Sequence, residues 1–151
     1  AGRTGTPAPS ASAAPAGIDK SAQRLGVPAG WSKGEFGEVK TENKDGYAAI
    51  YDLPQFPPEV SQVELRATSM GCRDSKLEPG VDGTVGAKKA SAKLFQGKCS
   101  FDGAPAAIWA IAMNLDKNDN PKVIVIAVKD SARATLEAAV PAIAQAYAES
   151  F

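Results

Sequence analysis

The sequence predicts an α+β fold: a mostly antiparallel sheet of about five or six strands, a long C-terminal helix on one face of it, and a short N-terminal helix. One observation behind this prediction is a pair of apolar segments, Ala106–Leu115 and Val123–Val128, joined by the polar loop Asp116–Lys122. Strands that are apolar on both faces are typical of the covered middle of a sheet. The other is Ser131–Phe151, where apolar residues recur at helical spacing.

The first seventeen residues, 1–17, consist of Ala, Gly, Pro, Ser and Thr apart from Arg3. Such a segment has almost nothing to bury, so burial cannot offset its ordering entropy, and we predict a flexible linker. The linker would tether the folded part to an anchor or a neighbouring domain; the alternative is a dispensable tail. Residues 18–151 are enough to bury one core and are predicted to form a single domain.

The N-terminal part of that domain predicts only short elements. Ile18–Leu25 fits the short helix, with an aspartate to cap its start and a glycine after its end. Trp31 is expected to fold over the edge of the core, with ligand stacking as the alternative. The stretch 32–46 fits a weak strand that ends in a turn at Lys44-Asp45-Gly46.

Two strands are predicted in the next part of the chain. Tyr47–Asp52 alternates between two sets of side chains, as in a strand, and Leu53–Pro58 has three prolines and is expected to be a crossing loop. We predict that Val60–Met70 is a half-buried strand, because apolar and polar residues alternate along it. The apolar set is Val63, Leu65 and Ala67.

The stretch that contains both cysteines predicts loops around one further strand. Gly71–Gly83 is expected to be a loop and Gly97–Gly103 a turn. Between them, Thr84–Gln96 is predicted as a strand that turns Ala90, Ala92 and Leu94 inward. A helix over Ala87–Phe95 is the alternative.

Cys72 and Cys99 are predicted to form a disulfide. Neither belongs to a C-x-x-C motif and the chain has no histidine, so the two thiols cannot complete an ordinary structural zinc site. In the chain-entropy model the bridge would stabilise the fold by about 3–4 kcal/mol. A disulfide indicates an oxidising compartment, whereas the alternative, two small buried thiols, would suit the cytosol.

Pro141 conflicts with a single C-terminal helix, because an interior proline removes a hydrogen bond and clashes with the preceding turn. Either the helix kinks at this residue, or there are two helices and Pro141 lies in the first turn of the second.

Recognisable catalytic chemistry is absent from the sequence. Without histidine, Ser-His and Cys-His mechanisms and imidazole metal sites are excluded. The loop Asp116–Asn120 begins like a calcium loop, but Pro121 stands where glycine is needed and Ala127 where a glutamate belongs. We therefore predict no catalytic residue, no metal and no cofactor. Carboxylate pairs such as Glu35/Glu38 and Asp74/Glu78 leave a carboxylate-based hydrolase as an alternative.

The charges balance, with 17 basic and 17 acidic residues, so the protein has no overall field to concentrate nucleic acid or an anionic membrane. Nucleic acid is therefore an unexpected partner, and a membrane is expected only through an anchor outside this sequence. One local basic cluster is a candidate binding patch for a protein or an anionic partner; its alternative role is to keep a strand face or a sheet edge soluble. It consists of Arg73, Lys76, Lys88, Lys89, Lys93 and Lys98.

The two ends of the domain resemble those of PsbP-like domains. In that family a V-P-x-G-W motif precedes an antiparallel sheet, and a final helix ends near S-F; here the matching residues are Val27-Pro28-Ala29-Gly30-Trp31 and Glu149-Ser150-Phe151. The resemblance covers about residues 25–151. It implies a non-catalytic extracytoplasmic domain, often a lipoprotein, that binds a partner or assists its assembly. No functional residue carries over, and the long Gly71–Gly83 segment and the cysteine pair depart from the pattern.

Together these observations predict a non-catalytic binding or interaction module outside the cytoplasm (secreted, periplasmic or cell-surface), tethered by a flexible linker, with its oligomeric state left open. The alternatives are the carboxylate-based hydrolase and a structural domain of a larger cell-surface protein.

Overall fold

The computed structural model describes four stretches of the chain: residues 30–34, 38–85, 89–114 and 121–149. Within them the mostly antiparallel α+β fold with a C-terminal helix is confirmed, although the sheet has eight strands rather than five or six. The predicted linker 1–17 and the predicted helix Ile18–Leu25 lie outside the described residues.

The sheet is one continuous antiparallel surface. Its strands, in chain order, are β1 (Trp31–Lys33), β2 (Val39–Thr41), β3 (Gly46–Asp52), β4 (Cys72–Leu77), β5 (Val81–Val85), β6 (Ala90–Phe101), β7 (Ala104–Asn114) and β8 (Lys122–Lys129). Their order across the sheet is β1-β2-β3-β8-β7-β6, and β4 and β5 both pair with the outer side of β6, one after the other. The helices are α1 (Val60–Met70), α2 (Arg133–Leu136) and α3 (Val140–Glu149).

The predicted hairpin forms the middle of the sheet. β7 and β8 pair from Ala106 opposite Lys129 to Met113 opposite Lys122, and every residue from Val123 to Val128 is buried. Both faces of these strands are covered, as the continuous apolar sequence predicts. Charged residues stand at the ends of β8, where Lys122 pairs with Asp52 at 2.7 Å.

Each face of the sheet has its own hydrophobic core. We call the two faces the α1 face and the α3 face, after the helix that packs on each. On the α1 face, Val63, Ala67 and Met70 pack against alternate residues of β6, β7 and β8. On the α3 face, Val140, Ile143 and Tyr147 pack against the other set. Each large apolar side chain buried in this way stabilises the fold by about 1.5–3 kcal/mol.

The prediction of a strand over Val60–Met70 is wrong, because the segment is α1. Val63 and Ala67 fit both the period of a strand and the spacing of a helix, so their burial does not distinguish the two. Leu65 does distinguish them, because it is 60% exposed, as on the outer side of a helix. A capping box begins the helix. The backbone N–H of Glu59 donates to the Gln62 side-chain oxygen at 2.9 Å, and the Glu59 carboxylate accepts from the backbone N–H of Gln62.

The predicted loop Gly71–Gly83 and the predicted turn Gly97–Gly103 are also wrong in their main parts. The first contains β4 and the start of β5, and the second is mostly the end of β6, with the turn confined to Asp102 and Gly103. The strand predicted over Thr84–Gln96 is confirmed as β6 from Ala90 onward, whereas its first two residues belong to β5.

Three smaller predictions are confirmed. Tyr47–Asp52 lies within β3, and the turn at Lys44-Asp45 precedes that strand. Pro141 is the second residue of α3, so the two-helix alternative is correct. Trp31 is 7% exposed and packs over Gly46, where a methyl group would overlap its ring.

Candidate binding face on the outer strands

The disulfide between Cys72 and Cys99 anchors the outer strands. Both residues are buried, and their Cα atoms are 5.5 Å apart. Cys72 is the first residue of β4 and follows Gly71, which ends α1 with a positive φ of 103°. The predicted bridge is therefore confirmed, and it fastens the end of α1 and the start of β4 to β6.

A bulge in β4 brings two cationic residues to one side of the sheet. Arg73 is opposite Ser100 and Lys76 is opposite Lys98, so β4 has one more residue than β6 over this interval. Asp74, inside the bulge, has a φ of 53°. In a regular strand, residues three apart point to opposite faces, and the extra residue therefore returns Arg73 and Lys76 to the same face.

The register of β6 shows which face this is. Ala92 belongs to the core of the α3 face, whereas Phe95 and Cys99 belong to the core of the α1 face. By alternation Lys98 points to the α3 face, and its cross-strand neighbour Lys76 points the same way.

The structure divides the predicted six-residue patch. Arg73, Lys76 and Lys98 are brought together, all of them exposed on the α3 face. Lys93 points to the α1 face and forms an ion pair with Asp82 at 3.8 Å. Lys89 stands at the other end of β6, and Lys88 lies outside the described residues. Of the five patch residues that the structure describes, three are thus brought together.

Lys76 and Lys98 are directly opposite each other on neighbouring strands. Like charges in this arrangement destabilise a sheet by about 0.2–1 kcal/mol relative to neutral pairs. A bound carboxylate or phosphate would remove that repulsion, so the pair is a site at which an anionic group is favoured.

Two exposed apolar residues continue the same face, and sequence reasoning missed them. Val81 on β5 is 66% exposed and Leu94 on β6 is 42% exposed, and they are cross-strand partners. The prediction that Leu94 points inward is therefore wrong, although the strand itself is correct. No local pattern distinguishes these positions, because their exposure depends on where the helices of the α3 face end.

We name this surface the outer strip and define it by Arg73, Lys76, Val81, Leu94 and Lys98. Its inner neighbour is Trp109 on β7, which is half-buried beneath the Arg133 guanidinium of α2 at 5.5 Å from the ring centroid. At the far end, Val85 and Ala92 pack into the core that α3 covers. All five residues of the outer strip itself are exposed.

The carboxylates and other reactive side chains of the described residues do not gather at one site. The carboxylates of Asp74 and Glu78 are exposed at the sheet edge, and Glu35 lies outside the described residues. No group of three or more cysteines and acidic residues suited to a metal ion occurs in the described stretches. A shallow depression beside α2 contains the ion pair of Arg133 and Glu137. None of the described helices has the length and apolar character required to span a membrane.

Three tyrosines lie around β3: the partly buried Tyr47 and Tyr51 on the α1 face, and the buried Tyr147 on the α3 face. Burial raises the pKa of Tyr147, Tyr51 and Tyr47 above that of an ordinary tyrosine, and the negative charge of Glu38 raises it further. Tyr147 has the largest shift and donates to the Ala48 carbonyl at 3.5 Å. These tyrosines are neutral at physiological pH and act in packing.

Comparison with known proteins gives a fold and no family. No family model matches the chain, and no curated protein is similar to it. A similar solved structure is that of LpqN from Mycobacterium tuberculosis, described as involved in cell envelope biogenesis, with 14% identity over 78% of this chain and 77% of that one, and a TM-score of 0.50. Another is a Pseudomonas aeruginosa protein of unknown function, described as a proposed regulator, with 12% identity and a TM-score of 0.43. The match covers 63% of this chain and 66% of that one, just under two thirds of its length.

Proposed function

We propose that this protein is a non-catalytic binding module that works outside the cytoplasm and engages a partner through the outer strip. The observation that carries the proposal is the strip itself: three cations, two of them directly opposed, beside an exposed apolar pair on one open sheet face. Exposed apolar residues joined to a charged group are typical of interaction sites.

The disulfide supports a location outside the cytoplasm, because such bonds form and persist in oxidising environments. LpqN, which shares the fold, is described as involved in cell envelope biogenesis, and we extend an envelope location to this chain. The resemblance to PsbP-like domains would add a role in binding or assembling a partner, and the predicted linker 1–17 would be the tether. We do not propose the carboxylate-based hydrolase, since Asp74 and Glu78 are exposed to bulk water.

Photo-crosslinking in the native host tests the binding role. A photoreactive amino acid at Leu94 should capture a specific partner, and the same amino acid at Lys33, exposed on β1 at the opposite edge of the sheet, should not. Equal capture at both positions, or none at either, would refute the proposed binding face. A purely structural domain would also give no capture that depends on position.

Alkylation of cells lysed directly into denaturant, without reductant, tests the compartment, because the denaturant exposes any thiol that is buried in the folded protein. Cys72 and Cys99 should stay unmodified, whereas two alkylated thiols by intact mass would place the protein in a reducing compartment and contradict the proposal.

A further inference from the structure

The outer strip has the length and width of a binding site for one α-helix. Along β6 it extends from the position opposite Arg73, which is Ser100, to the position opposite Val81, which is Leu94. These six residue steps span about 20 Å, and the two strands together are about 10 Å wide. An α-helix is about 10–12 Å in diameter and rises about 1.5 Å per residue, so about 13 helical residues would fill the strip.

The helices beside the strip exclude a flat partner. The side chains of α2 and α3 pack on β7 and β8, which lie one and two strands inward from β6, and form a layer about one helix diameter high there. α3 also reaches Val85 of β5, beyond the Leu94 end of the strip. A planar surface such as a bilayer that rested on this layer would not reach Leu94 on the sheet below. A slender partner fits into the step between the helices and the sheet edge.

A strand added at the edge would use only part of the strip. It would lie beside Arg73, Lys76 and Val81 on the outermost strands, but Leu94 and Lys98 are on β6, one strand further in. A partner that lies on the face contacts both strands at once and therefore all five residues.

The order of charges and apolar groups specifies the partner further. The cations Arg73, Lys76 and Lys98 are at one end of the strip, and Val81 and Leu94 are at the other. We propose that the outer strip binds an acidic amphipathic helix of a partner protein, with carboxylates over the cations and an apolar stripe over Leu94; this inference rests on the proposed function. The carboxylates of the partner helix therefore lie at the end of the strip that holds Lys76 and Lys98, and its apolar stripe continues towards Leu94.

A designed probe tests the inference. The probe is a fluorescein-labelled, hydrocarbon-stapled peptide of about 14 residues with glutamates in its first turn and a leucine stripe. Its binding to the full chain is followed by fluorescence anisotropy. K76E, K98E and L94S should each weaken binding about tenfold or more, whereas the matched control K33E on β1 should change it less than about twofold. A peptide with lysines in place of the glutamates should bind K76E/K98E better than the unmodified protein.

Each contrary outcome has a distinct meaning. If an unstapled peptide with a central proline binds equally well, or if vesicles of phosphatidylglycerol bind through the strip while the helical peptide does not, the inference of a helix is overturned. If the stapled peptide binds without sensitivity to K76E, K98E and L94S, or does not bind at all, the inference is likewise overturned. The crosslink at Leu94 separates these failures from that of the proposed function: a captured partner whose crosslinked segment is not helical overturns only the helix.

Discussion

The centre of the sheet and its outer strands are built on different principles. In the central pair β7–β8, both faces are covered, the interior positions are apolar, and the charged residues are at the strand ends. On the outer strands, α1 and the disulfide cover one face of β4 and of the adjoining half of β6, whereas β5 is exposed along most of its length. The other face presents cations and two exposed apolar residues. Within one sheet, the covered central strands therefore provide stability, and the open face of the outer strands is available for binding.

A single cross-strand row shows this contrast. On the α3 face Val81, Leu94, Ile111, Ile124 and Ile50 are successive neighbours across five strands. Ile124 is completely buried, and exposure rises outward to 42% at Leu94 and 66% at Val81. The residue types hardly change along the row, so the difference arises from how far the helix layer extends over the sheet.

The largest expected effect is a comparison within that row. Ile124→Ala should lower the free energy of unfolding by about 4–5 kcal/mol, at the upper end for such truncations, because the surrounding core is covered on both faces. Leu94→Ala should cost less than about 1 kcal/mol, since its side chain already contacts water. Urea unfolding of the two variants measures both. Equal losses would show that the outer strip belongs to the core and is not an open surface.

The disulfide should have the next largest effect, and an uneven one. Replacing Cys72 and Cys99 with alanine should destabilise the fold by about 3–4 kcal/mol. Hydrogen exchange should accelerate most in β4 and in the adjoining half of β6, because the bond fastens these strands. Chemical reduction of the unmodified protein serves as the control and should reproduce the pattern. A uniform acceleration that includes β7 and β8 would contradict the proposed division of the sheet.

Tyr147 offers a pH-dependent test of the covered side. Burial raises its pKa above the unfolded value of about 10, so the stabilisation from the neutral phenol is complete below pH 10 and is lost as the pH rises towards the folded pKa. The unmodified protein should therefore lose about 1 kcal/mol more than Tyr147→Phe between pH 10 and pH 11. Tyr47, Tyr51 and Glu38 are present in both proteins, so their contributions cancel. Parallel stability curves would show that Tyr147 is not buried in solution.

The centre of the fold was predictable from sequence because its signal is local. Val123–Val128 is apolar without interruption, and such a run has few placements other than the middle of a sheet. Pro141 likewise restricted the C-terminal segment to two alternatives, one of which is correct. In both cases the deciding residues lie within the element that they define.

The prediction from sequence included β6 but missed β4, the start of β5 and α1. The pattern of Val60–Met70 satisfies two periods, whereas the capping pair Glu59 and Gln62 favours a helix. The bulge that aligns Arg73 with Lys76 is stabilised by β6, where a side chain at Gly97 would overlap the Lys76 carbonyl. The sequence therefore could not show which cations of the predicted patch share one face of the sheet.

The smallest expected effect concerns the boundary between the two regions, where Arg133 of α2 lies over Trp109 and pairs with Glu137. Arg133→Gln should cost about 0.5–1 kcal/mol, because it removes a partly exposed cation–π contact and a surface ion pair. It should also increase quenching of Trp109 fluorescence by acrylamide, whereas Trp31, buried at the other edge, provides a constant background. Arg133→Lys keeps the charge but loses the planar stack, so its quenching should be intermediate. If Arg133→Gln leaves quenching unchanged, Arg133 does not shield Trp109 in solution. The helix layer would then end nearer the centre of the sheet than Trp109.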